Sequence, residues 1–244
     1  SNATAENSHT SFNFDKNNGW GDLSLNSTWL SYMWKRHAGF TVCTYEGNGI
    51  SGRRITHDLG PNNVPEMIWI KNRSITKDWP VYHKGLNGGS SPEDYLLLLN
   101  EDSAEGGDGN VWNDTAPTTT HFTIGTSSKT NTSGENYIAM LFSSVTGISK
   151  VGSYSGANSE QTITLGFQPR FLIVKAATTT SNWSVFDTTR GWVSGNDNYL
   201  ALNTNAAEVT SNDYADPTST GFTINITGNA MNGGGETYIY YAHA

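Results

Sequence analysis

Short apolar runs alternate with polar, glycine-rich segments along all 244 residues. Ile68-Trp69-Ile70-Lys71 and Phe171-Leu172-Ile173-Val174-Lys175 are compact hydrophobic runs bounded by proline and polar loops, the pattern of buried strands. Phe40 to Tyr45, Gln161 to Leu165 and Gly221 to Ile226 alternate polar and apolar, the pattern of strands with one wet face. Turn signals fall between them: Asn48-Gly49, Asn87-Gly88-Gly89, Asp108-Gly109 and Asn232-Gly233-Gly234. Only 91–97 and 99–106 predict a short helix, and no stretch reaches the ~12 residues of a convincing amphipathic one. About six to eight strands per ~105 residues is the strand density of a β-sandwich.

The pattern repeats. PEMIWIKNRSITKDWPVYH (65–83) matches PRFLIVKAATTTSNWSVFD (169–187), pairing Pro65 with Pro169, Lys71 with Lys175, Trp79 with Trp183 and Val81 with Val185. Upstream, Tyr45-Glu46-Gly47 matches Tyr154-Ser155-Gly156, and Leu59-Gly60 matches Leu165-Gly166. Downstream, YLLLLNEDSAE (95–105) matches YLALNTNAAE (199–208), and GENYIAM (134–140) matches GETYIYY (235–241). A period near 100 residues signals a tandem duplication of domains rather than a solenoid. Residues 27–40 resemble 137–148, so the N-terminal part reads as the last strands of a third, partial copy packing onto the first unit. The expected organisation is all-β: a partial preceding repeat over 1–37, then jelly-roll or lectin-like β-sandwich units over 38–145 and 146–244. Ser1-Asn2-Ala3 looks like the scar of a cleaved tag and is set aside.

Composition sharpens this picture. Only 15% of residues are charged, while 30 Thr, 26 Asn and 26 Gly make up about a third of the chain. These are weak helix formers suited to strands and turns. A net charge of −8, with no cluster of Lys and Arg, argues against nucleic acid or an anionic membrane as partner. No apolar run is long enough for a membrane-spanning helix. The single cysteine excludes an intrachain disulfide and any CxxC metal site.

WLSYMWKRHAGFTVCTYEGNG, HDLG, VPEMIWIKNRS, DWPVYHKGL, YLLLLN and VWNDTAPT, with KVGSYSGANSEQTITLGFQPRFLIVKAATTTSNWSVFDTTRG in the second half, resemble a repeated domain of bacteriophage virion proteins. These are mainly tail-fibre and tail-associated proteins of marine phages. The resemblance spans about residues 27–244. It implies a non-enzymatic structural or host-contact part of a virion, located in an extracellular appendage. Its partners would be other virion proteins, further copies of itself and a host-surface glycan. It carries no catalytic motif and implies no cofactor. His83 stands against Asp187, and Arg53-Arg54 has no counterpart in the second copy, so a shared ligand site does not follow.

The candidate residues divide by setting. Trp79 and Trp183 recur beside buried strands, where a core role outweighs sugar stacking. Trp112, Trp192 and Tyr214 sit in Gly/Asn/Asp-rich loops, and these three are the candidate glycan contacts. The alternative is that they anchor their loops by folding back. Glu101, Asp102, Glu105, Asp108 and Asn110, or Asn196, Asp197 and Asn198, supply oxygen ligands of the kind Ca²⁺ takes, yet no DxDxDG loop is present and turns favour these residues anyway. No metal site is therefore assigned. The histidines show no HxH or HExxH spacing, Cys43 reads as a small buried hydrophobe, and neither GxSxG nor a P-loop occurs. Glu105 and Glu208 recur at matched turns, which suits capping better than catalysis. The expected function is a virion component with weak, polyvalent glycan contact. A carbohydrate-active enzyme or its binding module, and a bacterial adhesin, are the alternatives.

Overall fold

Strands form where apolar, aromatic and β-branched residues lie between glycine turns. The structure, a computed structural model, describes residues 3–6, 12–16, 19–22, 32–36 and 38–244. Near the N-terminus β1 (Phe12–Lys16) and β2 (Gly19–Asp22) pair as an antiparallel hairpin. The closing strands expected around 27–34 lie mostly outside the described residues, and the described Tyr32 to Trp34 form no strand.

The first half contributes β3 (Phe40–Glu46), β4 (Arg53–Thr56), β5 (Met67–Asn72), β6 (Pro80–His83), β7 (Tyr95–Leu98), β8 (Gly106–Gly107), β9 (His121–Ile124) and β10 (Asn136–Phe142). The second half contributes β11 (Ser149–Ser155), β12 (Gln161–Thr164), β13 (Phe171–Ala176), β14 (Ser184–Asp187) and β15 (Asp197–Ala201), then β16 (Val209–Asn212), β17 (Ala215–Thr218), β18 (Gly221–Ile224) and β19 (Thr237–His243). A single helical turn, α1 (Gly109–Trp112), is capped by the Asp108 side chain accepting from the Asn110 amide. The helix expected over 91–97 is only a 3-10 turn, Pro92–Asp94, that runs into β7, and 99–106 holds no helix. The leucine run is strand because Leu96 and Leu97 are buried on opposite faces of a sheet.

Each half carries one six-stranded antiparallel sheet, in the orders β3-β10-β5-β6-β7-β8 and β11-β19-β13-β14-β15-β16. The two orders correspond strand for strand. A two-stranded sheet, β4-β9, covers the outer face of the first sheet, and a three-stranded sheet, β12-β18-β17, covers that of the second. The inner faces pack on each other through one core that draws Met67, Trp69, Val81 and Phe142 from the first half, and Phe171, Ile173, Val185 and Tyr241 from the second. Trp34 joins this core edge-on to Trp69, Phe142 and Phe171. The protein is thus a four-layer all-β stack. Being covered on both sides, β5 and β13 are buried at every position, which is why they lack alternation.

The duplication extends to polar detail. Tyr45 stacks on its cross-strand partner Tyr137 at 5.2 Å, and Tyr154 on Tyr238 at 5.1 Å. Buried Asn131 accepts the Asn48 amide and donates to the carbonyls of Ile50 and Gly125. Buried Asn232 accepts the Ala157 amide and donates to those of Ser159 and Ile226. Each asparagine therefore ties three loop segments that no sheet ladder satisfies. Glycine is required beside them, since a Cβ on Gly47 or Gly156 would stand 2.0 Å from the carbonyl oxygen of Thr132 or Gly233.

Candidate functional site

Of the three loop aromatics, Trp112 and Trp192 leave no open sugar platform. Trp112 is 2% exposed, and it packs under β4 and β9 with an edge-to-face contact to Tyr82. Trp192 is 0% exposed and its indole N–H donates to the Ala215 carbonyl. Tyr214 is half-buried, and one face of its ring stacks on Tyr199 at 4.8 Å. These side chains anchor their loops because a large apolar ring gains more from covering a sheet face than from facing water. The assignment of Trp112 and Trp192 as ligand contacts is corrected accordingly.

A cleft of about 990 Å³ is lined by Thr4, Ala5, Glu6, Lys71, Arg73, Trp79 and Asn203 to Asn205. Lys71, near the end of β5, is only 6% exposed. Its ammonium donates to the carbonyls of Lys77 at 2.9 Å and Ala3 at 3.0 Å, and lies 5.8 Å from the centre of the Trp79 ring. Burial lowers its pKa, with Asp78 opposing the change. At the rim, Arg73 pairs with Glu6 at 2.8 Å. The cleft thus sets a partly buried aromatic ring beside amide and charged side chains.

The matching place in the second half is closed. Lys175 is fully buried and donates to the carbonyls of Ala176 at 2.8 Å and Asp102 at 3.2 Å. Burial pulls its pKa down to about 8. Trp183, the counterpart of Trp79, is 1% exposed and its indole N–H donates to the Leu98 carbonyl at 3.0 Å. Two tryptophans at one repeat position therefore have different surroundings. The sequence treats them alike, and the cleft at Trp79 was missed. The signal that would have found it is Thr4-Ala5-Glu6, which matches Ser103-Ala104-Glu105 and Ala206-Ala207-Glu208.

Other chemistry-bearing groups are committed to the fold. Cys43, His57 and Asp58 share a smaller hollow of about 340 Å³ with Arg36. His57 accepts the Leu59 amide at Nδ1, which leaves Nε2 to donate to the Thr118 carbonyl at 3.0 Å. The one ring lone pair is then engaged by the Leu59 amide. Burial pushes the Cys43 thiol up to about 12, and Asp58 is held by Arg36 and Thr41. Of the residues considered for Ca²⁺, Asp197 is buried and accepts the amides of Tyr214 and Ala215 at 2.7 and 2.8 Å, and Glu105 accepts the Asn87 amide at 2.7 Å. Among the described residues no group of three or more His, Cys, Asp or Glu could hold a metal ion. No helix among them is long and apolar enough to cross a membrane.

Fold and cleft define a duplicated all-β protein whose two halves share a core, with an aromatic-lined cleft between residues 4–6 and a loop of the second half. The chain belongs to the family described as domain of unknown function DUF7483, whose model matches residues 17–244. No curated protein and no solved structure matches it.

Proposed function

We propose that the chain is a non-enzymatic structural unit of an extracellular appendage of the phage tail-fibre type. In this reading it works as a stiff spacer among other virion proteins and contacts a neutral host-surface glycan at the Trp79 cleft. The observation that carries the reading is the core shared by the two inner sheets, which joins Trp69 and Phe142 of one half with Phe171 and Tyr241 of the other and sets the Phe142 ring against Tyr241. Such a core removes the hinge that two separate sandwiches would have, as a stiff spacer requires. The low charge suits a surface that meets uncharged sugar, and multiple copies convert weak contacts into avidity.

A glycan array of the intact chain and of Trp79→Ala tests the binding, with reducing ends assayed on any bound polysaccharide. Expected is binding that Trp79→Ala weakens about ten-fold or more, without new reducing ends. Accumulating reducing ends would support the enzyme reading instead, and an array with no hit would remove the glycan.

A further inference from the structure

Three backbone-directed hydrogen bonds recur around the two buried lysines. In the second half, the Asp102 carbonyl accepts from Lys175 Nζ at 3.2 Å and from the Ser181 amide at 2.9 Å, and the Glu105 amide donates to the Ala177 carbonyl at 2.7 Å. In the first half, the Ala3 carbonyl accepts from Lys71 Nζ at 3.0 Å and from the Lys77 amide at 2.9 Å, and the Glu6 amide donates to the Arg73 carbonyl at 2.9 Å. Under the repeat, Lys71, Arg73 and Lys77 correspond to Lys175, Ala177 and Ser181. Ala3 and Glu6 then correspond to Asp102 and Glu105. Residues 3–6 thus lie in the first half as the strap 102–105 lies in the second, with the same spacing and the same Ala-Glu ending.

The strap 102–105 comes from one half and docks on the other. A third copy of it, Asn205-Ala206-Ala207-Glu208, has no such groove. Residues 204–207 are exposed, and among the described residues no backbone hydrogen bond joins 205–208 to the first half. Glu208 instead pairs with Arg190 of its own half. Yet Asn203 to Asn205 line the cleft over Lys71 together with residues 4–6. The inner faces that meet in the shared core are the matching faces of the two sheets, so the halves stand about a pseudo-two-fold axis. That symmetry directs 205–208 to the groove that residues 3–6 hold.

We propose that the Lys71 groove is a docking site for an extended segment of small residues ending in Ala-Glu, the joint by which one unit of this fold takes a strap from another. The strap pairs with the loop 73–77 that follows β5 through main-chain bonds to Arg73 and Lys77, and the buried ammonium reads the carbonyl three residues before the glutamate. Residues 3–6 fill the groove in this chain, and 205–208 is the strap they exclude. The proposal goes beyond the appendage reading and stands independently of it.

The test uses a chain shortened by residues 1–6, its folding checked by a cooperative melting curve. The probe is a free peptide with the sequence of residues 100–106, and hydrogen exchange is followed at the Lys77 amide and across 205–208. The peptide should bind the shortened chain at least ten-fold more tightly than the intact chain, slow the Lys77 amide, and lose this binding in Lys71→Met. Protection of 205–208 in the shortened chain, with a slow Lys77 amide and no peptide binding, also supports the groove, since the chain's own strap has then filled it. A folded shortened chain that binds no peptide and leaves 205–208 unprotected overturns the proposal. If the shortened chain does not fold, Glu6→Pro in the intact chain opens the site by removing the amide that donates to Arg73, and the same outcomes apply.

Discussion

His83 of the first half lies with its Nε2 at 3.2 Å from the carbonyl oxygen of Tyr240 in the second. Its Nδ1 accepts the Gly85 amide at 2.9 Å, so the neutral ring donates from Nε2 across the junction. The ring is wholly buried, which lowers its pKa from 6.5 to about 3. Protonation would put a hydrogen on Nδ1 and end its acceptance from Gly85, while Nε2 would still donate to Tyr240; burial, which penalises the charged ring, dominates.

Stability should therefore depend on acid in a defined direction. The unfolded chain takes up a proton near pH 6.5 that the folded chain refuses until about pH 3. His83 leaves stability unaffected above pH 6.5 and lowers it progressively as pH falls towards 3, by on the order of a few kcal/mol. Urea midpoints measured from pH 7.5 to 4 should fall, and His83→Gln should flatten that fall.

Asp197 has the opposite sign. Burial raises its carboxyl from 3.8 to about 6, although two backbone amides partly hold it down. The folded chain then binds a proton more readily than the unfolded one between those values, and stability from this group falls as pH rises through the window. Asp197→Asn should be more favourable at pH 7 than at pH 4 by about 1–2 kcal/mol, read from melting curves at the two pH values.

The paired asparagines should behave alike. Asn131→Ala leaves the Asn48 amide and the Ile50 and Gly125 carbonyls without their partner, and Asn232→Ala does the same at Ala157, Ser159 and Ile226. Each should cost about 2–4 kcal/mol in denaturant unfolding, given ~1–3 kcal/mol for each orphaned buried group and partial rescue by water. A much smaller loss at both sites would show that water replaces the amide fully.

Gly47→Ala and Gly156→Ala probe the same loops from the backbone side. A methyl group 2.0 Å from a carbonyl oxygen has to move the chain. Each substitution should lower stability by about 1–3 kcal/mol, with equal size in the two halves. Unequal losses would mean that the two loops are not packed alike.

Much of the fold was legible in the chain. Apolar runs at Ile68 to Lys71 and Phe171 to Lys175 marked buried strands, and each lies inside its strand, β5 or β13. Glu105 and Glu208 recur at matched turns, yet Glu105 accepts the Asn87 amide whereas Glu208 pairs with Arg190, so the two copies do not share one capping role. Two features were hidden because sequence encodes residue type before surroundings. Trp112 and Trp192 sit among Asn and Gly, a composition that marks loops but does not say whether a loop folds its ring inward. Lys71 and Lys175 end apolar runs and look like solvated ends of strands. Both are buried because a strap carbonyl from a distant segment receives the ammonium. Long-range partners of this kind leave no local pattern.

The most direct test of the shared core is differential scanning calorimetry of the intact chain and of Ile239→Ala, which cuts into that core from the second half. Expected is one transition in each case, with equal calorimetric and van't Hoff enthalpies, shifted down as a whole by a loss of about 2–5 kcal/mol. Two transitions, with only the one belonging to the second half displaced, would contradict it.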